Sequence, residues 1–266
     1  MSLMTKLIIT AIAVLFVAIL MTMAGRGGGN FYVIILIMAG ESMHQAATTG
    51  QFVMFVTAIG AMIIFNKHKV IFWPMAIIIG LTTSLMALVG GLAAHEFAGV
   101  TLKYLFAVML AIAGLLMLLP VRQKIADTQK RFGYWTLQNS GVRYTVNLYI
   151  AIPVMLATGL AAGMVGVSGG SFLVPLMVLA CGLPIKSAIG TASTMVAATA
   201  LMGFFGHALR GEFDPAFGLP LAAVAIAGGI IGGKFAIKTK PLILKKIFAF
   251  TTLAAAIFMI ANAICS

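Results

Sequence analysis

The chain is poor in charge, and in negative charge above all. Only 8% of its 266 residues are charged, and five are Asp or Glu. With 62% of residues hydrophobic, it cannot cover a surface with charge, which excludes an ordinary water-soluble globule. Alternation of apolar and polar residues is also lacking, which excludes a transmembrane barrel. Cysteine is scarce: Cys181 and Cys265 form no metal-ligand spacing and read as free thiols. None of the five acidic residues falls firmly inside a long apolar run, which argues against a cation pathway. What remains is an all-α, polytopic membrane protein whose apolar runs reach the roughly 20 residues that span a hydrocarbon core of about 30 Å.

The net charge of +12 does not point to nucleic acid. No soluble domain is present to carry a basic groove, and the basic residues cluster between apolar runs, as topology signals do. The first 24 residues resemble a secretory leader, with Lys6 before an apolar stretch and "TMAG" after it. An internal repeat makes them a structural helix instead. At a shift of 141 positions Gly28 and Gly29 fall on Gly169 and Gly170, Phe31 on Phe172 and Pro74 on Pro215. With one residue inserted, Gly90 and Gly91 fall on Gly232 and Gly233, and Lys103 on Lys245.

Each half therefore reads as five segments, the second one short. The first half has residues 7–23, 31–40, 46–65, 72–94 and 102–119; the second has 146–165, 172–181, 187–207, 216–235 and 247–264. The expected division is an N-terminal repeat at 1–121, a cytoplasmic linker at 122–145 and a C-terminal repeat at 146–266. If all ten segments cross, the halves are inverted, and 14 of the 17 basic residues lie inside. If the short segments turn back, the split is 9 to 8. The positive-inside rule favours inverted repeats, each with a short broken helix.

The glycine-rich junctions "GRGGG" and "GVSGG" precede the two short segments. A ten-residue helix rises about 15 Å, half a bilayer, so each junction is expected at depth, shielded by protein or lining a cavity. Glycine there permits positive φ and close approach of a ligand. The N–H groups of Asn30, Phe31, Ser171 and Phe172 are expected to be open helix-start donors, an arrangement that binds anions. An arginine at such depth, Arg26, is a functional candidate.

In the second half "GVSGGSFLVP" is followed by "AIGTAST"; in the first, "GRGGG" is followed by "TTGQF". With the duplication, these motifs resemble the TauE/SafE sulfite exporter family over nearly the whole chain. Ser168 stands where the family usually has glycine, Ile34 replaces a proline, and Arg26 is a further departure. The resemblance implies a permease that moves sulfite, sulfonates and related organosulfur anions across the bacterial cytoplasmic membrane, without ATP hydrolysis of its own. The candidate substrate-binding residues are Arg26, Gly27, Gly28, Gly29, Asn30, Gln51, Ser168, Gly169, Gly170, Ser171, Thr191 and Ser193. No cofactor, metal or ATPase subunit is expected; the partners are a small anion and the lipid bilayer.

Other readings stand beside these. Arg26 can be a topology anchor that snorkels to the headgroups. Thr191, Ser193 and Thr194 can bond their own helix backbone. "GGIIGG", residues 228–233, reads as a close-packing motif. "GGIIGGKF" approaches a phosphate-binding loop, but Phe235 stands where a Ser or Thr must be. "GVSGG" reads as G-x-S-x-G, so an intramembrane serine protease using Ser168 and His207 is a rival from another class. A channel for small neutral solutes is the nearer alternative. Glu41 and His44, in an outward loop, are candidates for a gate or for solvated positions.

Overall fold

A computed structural model describes residues 3–93, 99–118, 133–139, 142–165, 170–208 and 213–264. It is a polytopic helical bundle. The first half supplies α1 (Leu3–Met23), α2 (Gly29–Met38), α3 (Met43–Lys67), α4 (Trp73–Ala93) and α5 (Gly99–Leu118). The second supplies α6 (Leu148–Val165), α7 (Gly170–Pro175), α8 (Ile185–Ala208), α9 (Pro215–Lys238) and α10 (Pro241–Ile264). The sequence repeat survives as helix starts: Gly29 and Gly170 lie 141 positions apart, and Met43 and Ile185, Trp73 and Pro215, and Gly99 and Pro241 lie 142 apart.

Local chemistry sets several ends. Ser42 and Gln45 form a capping box at the start of α3, and Asp214 accepts from the Ala216 N–H ahead of Pro215 in α9. Lys186 Nζ, at the start of α8, donates to the Ile237 carbonyl at the end of α9, placing a cation where helix carbonyls are left over. Pro175 has no N–H for the Ser171 carbonyl, and α7 continues as a π-helical turn, Leu176–Ala180.

The halves interlock. The fourth helix of each half packs between the first and third of the other: α9 against α1 and α3, α4 against α6 and α8. Equivalent helices also pair, α3 with α8 and α5 with α10. The glycines expected to pack closely do so. Gly228 and Gly232 of α9 face Ala18 and Ile19 of α1, while Gly229 and Gly233 face Thr57 and Ile64 of α3. A Cβ on Gly232 would sit 2.6 Å from the Ile19 carbonyl oxygen, so only glycine permits this approach. Gly190 of α8 lies against Phe65, and Gly203 against Gln51, so α3 and α8 run antiparallel.

The core is built of Phe65, Phe72, Phe248, Met75 and Met177, all buried. Large apolar side chains such as Phe16, Leu85, Phe250 and Ile257 are exposed instead. In water that would be a liability; in a bilayer it is the solvent-facing surface. Among the described residues, six helices are long and apolar enough to cross a membrane.

One element differs from expectation. The linker read as 122–145 overlaps a β-hairpin, β1 (Tyr134–Asn139) paired antiparallel with β2 (Val142–Asn147), whose second strand passes the expected boundary and runs directly into α6. Its signal is present in "YWTLQNSGVRYTV": aromatic and β-branched residues on either side of Asn-Ser-Gly.

Candidate functional site

The first break explains its own composition. Between α1 and α2 the chain turns through Gly25, Gly27 and Gly28, with φ of 70°, 68° and 81°. Those are left-handed values that side-chain-bearing residues resist. Gly28 is the left-handed N-cap of α2. The turn is packed on all sides: the Ile189 Cα of α8 lies 3.0 Å from where a Cβ on Gly25 would start, and Met54 of α3 and Val196 of α8 press on Gly27.

Arg26 is only 4% exposed and is the one buried charged side chain among the described residues. Its Nε donates to Ser171 Oγ (2.8 Å) and its Nη1 to Thr252 Oγ1 (3.2 Å). Thr252 donates in turn to the Phe248 carbonyl of its own helix, α10 (2.6 Å). One guanidinium thus ties the first break to the start of α7 and to the middle of α10. Snorkelling to the headgroups would leave Arg26 exposed, and it is buried.

The two junctions touch. A Cβ on Gly170 would stand 2.5 Å from the Gly25 carbonyl oxygen and 3.2 Å from Arg26 Cα, so backbone meets backbone there. Gly29 opens α2 and Asn30 follows in its first turn. Ser168 and Gly169 lie outside the described residues. One expectation is corrected: the Phe31 N–H donates to the Gly28 carbonyl (3.0 Å), closing a tight first turn, and is not an open donor.

A family model described as Sulfite exporter TauE/SafE matches residues 10–259. The chain belongs to the TauE/SafE family. It is 24% identical over 239 residues to a probable membrane transporter protein of Xylella fastidiosa, covering 88% of this chain and 87% of that one. It is 21% identical over 222 residues to the probable membrane transporter protein YunE of Bacillus subtilis, covering 79% and 81%. The probable membrane transporter protein YdhB of the same organism is 32% identical over 85 residues, 32% of this chain and 35% of that one. No solved structure matches the chain. This TauE/SafE chain is therefore a multi-pass membrane protein of a transporter family.

The remaining candidates in this TauE/SafE protein fall into two groups. Gln51 is buried on α3 against Gly203 of α8, and its Oε1 meets no partner among the described residues. It lies one helical turn along α3 from Met54, which touches Gly27. Thr191 and Ser193 are engaged in the fold. Thr191 Oγ1 accepts from the Phe72 N–H at the head of α4 (2.9 Å), and Ser193 donates to the Ile189 carbonyl (2.9 Å). Thr194 likewise donates to the Gly190 carbonyl (3.1 Å).

Glu41 lies in the turn after α2, half-buried. Desolvation, and then the nearby Asp214 carboxylate, hold its carboxyl above the ordinary range. Among the described residues no cluster of His, Cys, Asp and Glu could hold a metal ion. Thr252 is a site residue that the sequence does not announce: a threonine in an apolar run normally bonds its own helix, as this one also does, so nothing marks it as an arginine partner.

Proposed function

We propose that this chain is a secondary transporter of small sulfur-containing oxyanions such as sulfite and sulfonates, not an enzyme, in the bacterial cytoplasmic membrane. The observation that carries this is Arg26, buried at a glycine-built break and bonded to two hydroxyls. A guanidinium offers a planar fork of N–H donors that matches an oxyanion. Gly27, Gly28 and Gly29 belong to the candidate set for the break they build, and Gln51 for its buried amide, whose Oε1 meets no partner among the described residues. Asn30, Ser168 and Gly169 complete the candidate set at the two junctions.

The halves are read as inverted repeats, 1–121 and 146–266, about a cytoplasmic linker. The antiparallel run of the equivalent helices α3 and α8 supports the inversion, because a pseudo-two-fold axis in the membrane plane reverses every helix it relates. Transport then follows from rocking of one interlocked set against the other, exposing Arg26 alternately to each side. No ATPase is needed. A singly charged anion leaving an inside-negative cell gains about 2.3 kcal/mol per 100 mV.

The test is radiolabelled sulfite flux in proteoliposomes at fixed pH and imposed potential. A saturable flux with counterflow, competed by sulfonates but not by glycerol, is expected. Passage of glycerol without sulfite would replace the carrier with a neutral-solute channel.

A further inference from the structure

Three rings, Phe52 of α3, Phe204 of α8 and Phe213 in the lead-in to α9, meet one another. Each pair of centroids lies 5.1 Å apart, and Phe213 stands edge-on to the other two, at 67° and 84°. That arrangement is attractive between aromatic rings. All three are partly buried. Gly218 of α9 makes room for the trio, since a Cβ there would stand 2.7 Å from the Phe213 ring.

Their position along the helices relates them to Arg26. Val196 of α8 presses on Gly27, the neighbour of Arg26, and Phe204 lies eight residues further on, about 12 Å at 1.5 Å per residue. Because α3 runs antiparallel to α8, the end of α8 lies at the start of α3, and the rings stand between the break and that end of the bundle. Lys6, Glu41 and Asp214 are at the same end. The opposite end carries Lys67, Lys69, Lys186, Lys238 and Lys240 and, among the described residues, no acid. The positive-inside rule makes the ring end the outer one.

Two buried polar atoms beside the rings lack a partner among the described residues. They are Gln51 Oε1, next to Phe52 in the chain, and Thr49 Oγ1, one turn from Phe52 on the same face of α3. Protein interiors satisfy nearly all such groups, so two orphans together mark a place where a polar solute passes. The inner end is built otherwise. At the 142-residue shift of the helix starts, the counterparts of Phe52, Phe204 and Phe213 are Thr194, Met62 and Ile71, which form no ring cluster. There the Phe72 N–H at the head of α4 is bonded to Thr191 of α8, and Lys186 of α8 to the Ile237 carbonyl of α9.

We propose that Phe52, Phe204 and Phe213 are the outer gate of the solute path, parting by side-chain rotation, while the inner end opens by movement of whole helices. The gate rests on the reading of this chain as a carrier whose solute passes the Arg26 break.

The test places a reporter cysteine on the Arg26 side of the rings, Met54→Cys or, as a second reporter, Val196→Cys. In right-side-out vesicles it is modified from outside by membrane-impermeant methanethiosulfonates, one bearing a sulfonate and one a quaternary ammonium, with the chain lacking the reporter as the baseline. Slow modification is expected with all three rings in place. Phe204→Ala and Phe213→Ala, made separately, should each speed it by about tenfold or more, whereas Phe204→Trp, which keeps a ring, should not. Phe205→Ala removes an exposed ring beside the trio and should leave the rate unchanged. The same rate with and without the two alanine substitutions, or equal acceleration by Phe205→Ala, would overturn the gate. Acceleration for the ammonium reagent alone would uphold the gate and overturn the anion path.

Discussion

The two breaks share a scaffold and differ in chemistry. In both, a short helix opens on a glycine at the same repeat position, Gly29 and Gly170. Yet the repeat counterpart of Arg26 is Val167, that of Ser171 is Asn30, and that of Thr252 is Leu110. The charge belongs to the first break; its described hydroxyl partners come from the second half. The backbones differ too: α2 runs ten residues as an ordinary helix, while α7 passes into a π turn after Pro175. Duplication thus supplies a matched pair of junctions, and specialisation puts one cation between them. A symmetric pair of cations would repel across the contact where Gly25 meets Gly170.

That asymmetry can be broken at graded cost. The largest effect is expected from Arg26→Gln, which removes the only buried charge among the described residues. Sulfite flux in proteoliposomes should fall about a hundredfold, equivalent to about 2.7 kcal/mol, while the protein stays folded in detergent. Gly170→Val acts on the scaffold. Its side chain would meet the Gly25 carbonyl at 2.5 Å, and the resulting loss of about 1–3 kcal/mol should show as a lower Tm. Ser171→Ala deletes a bond to a charged donor, worth about 1.5–3 kcal/mol, and should cut flux about tenfold, with Ser171→Thr restoring much of it.

Smaller effects sit at the edge of the site. Thr252→Val keeps the shape and removes the longer of the two bonds, so flux should fall only about threefold, roughly 0.7 kcal/mol. Glu41 has Gly182 as its counterpart, a further asymmetry after the short helices. Its carboxyl titrates above the ordinary 4.5, so the fold favours the protonated form. Its contribution is fully present below the ordinary value and is lost as pH rises through the folded one. Glu41→Gln should therefore raise the Tm slightly at pH 7 and leave it unchanged at pH 4; an equal rise at both would remove the carboxylate from the cause.

Much of the scaffold is legible in the amino-acid order. The apolar runs 187–207 and 216–235 correspond to Ile185–Ala208 and Pro215–Lys238, because apolar length and glycine breaks are written locally. The hairpin is harder to see because its residues lie in a charged stretch with the composition of a linker, although the strand pattern is there. The meeting of Gly25 with Gly170 accords with the repeat, which places a break in each half. Depth singles out Arg26, but its bond to Thr252 spans 226 positions and leaves no local trace. The open donor expected at Phe31 fails because Gly28, in a left-handed turn, presents its carbonyl back to the helix start.

The central claim is that the Arg26 charge binds the transported anion. Its most direct test is the sulfite-dependent rise in Tm of the purified protein at constant ionic strength, wild type against Arg26→Gln. Binding to the folded state alone raises stability with the logarithm of ligand concentration. The account predicts a rise that grows with the logarithm of sulfite concentration for the wild type and none for Arg26→Gln; the same rise in both would contradict it.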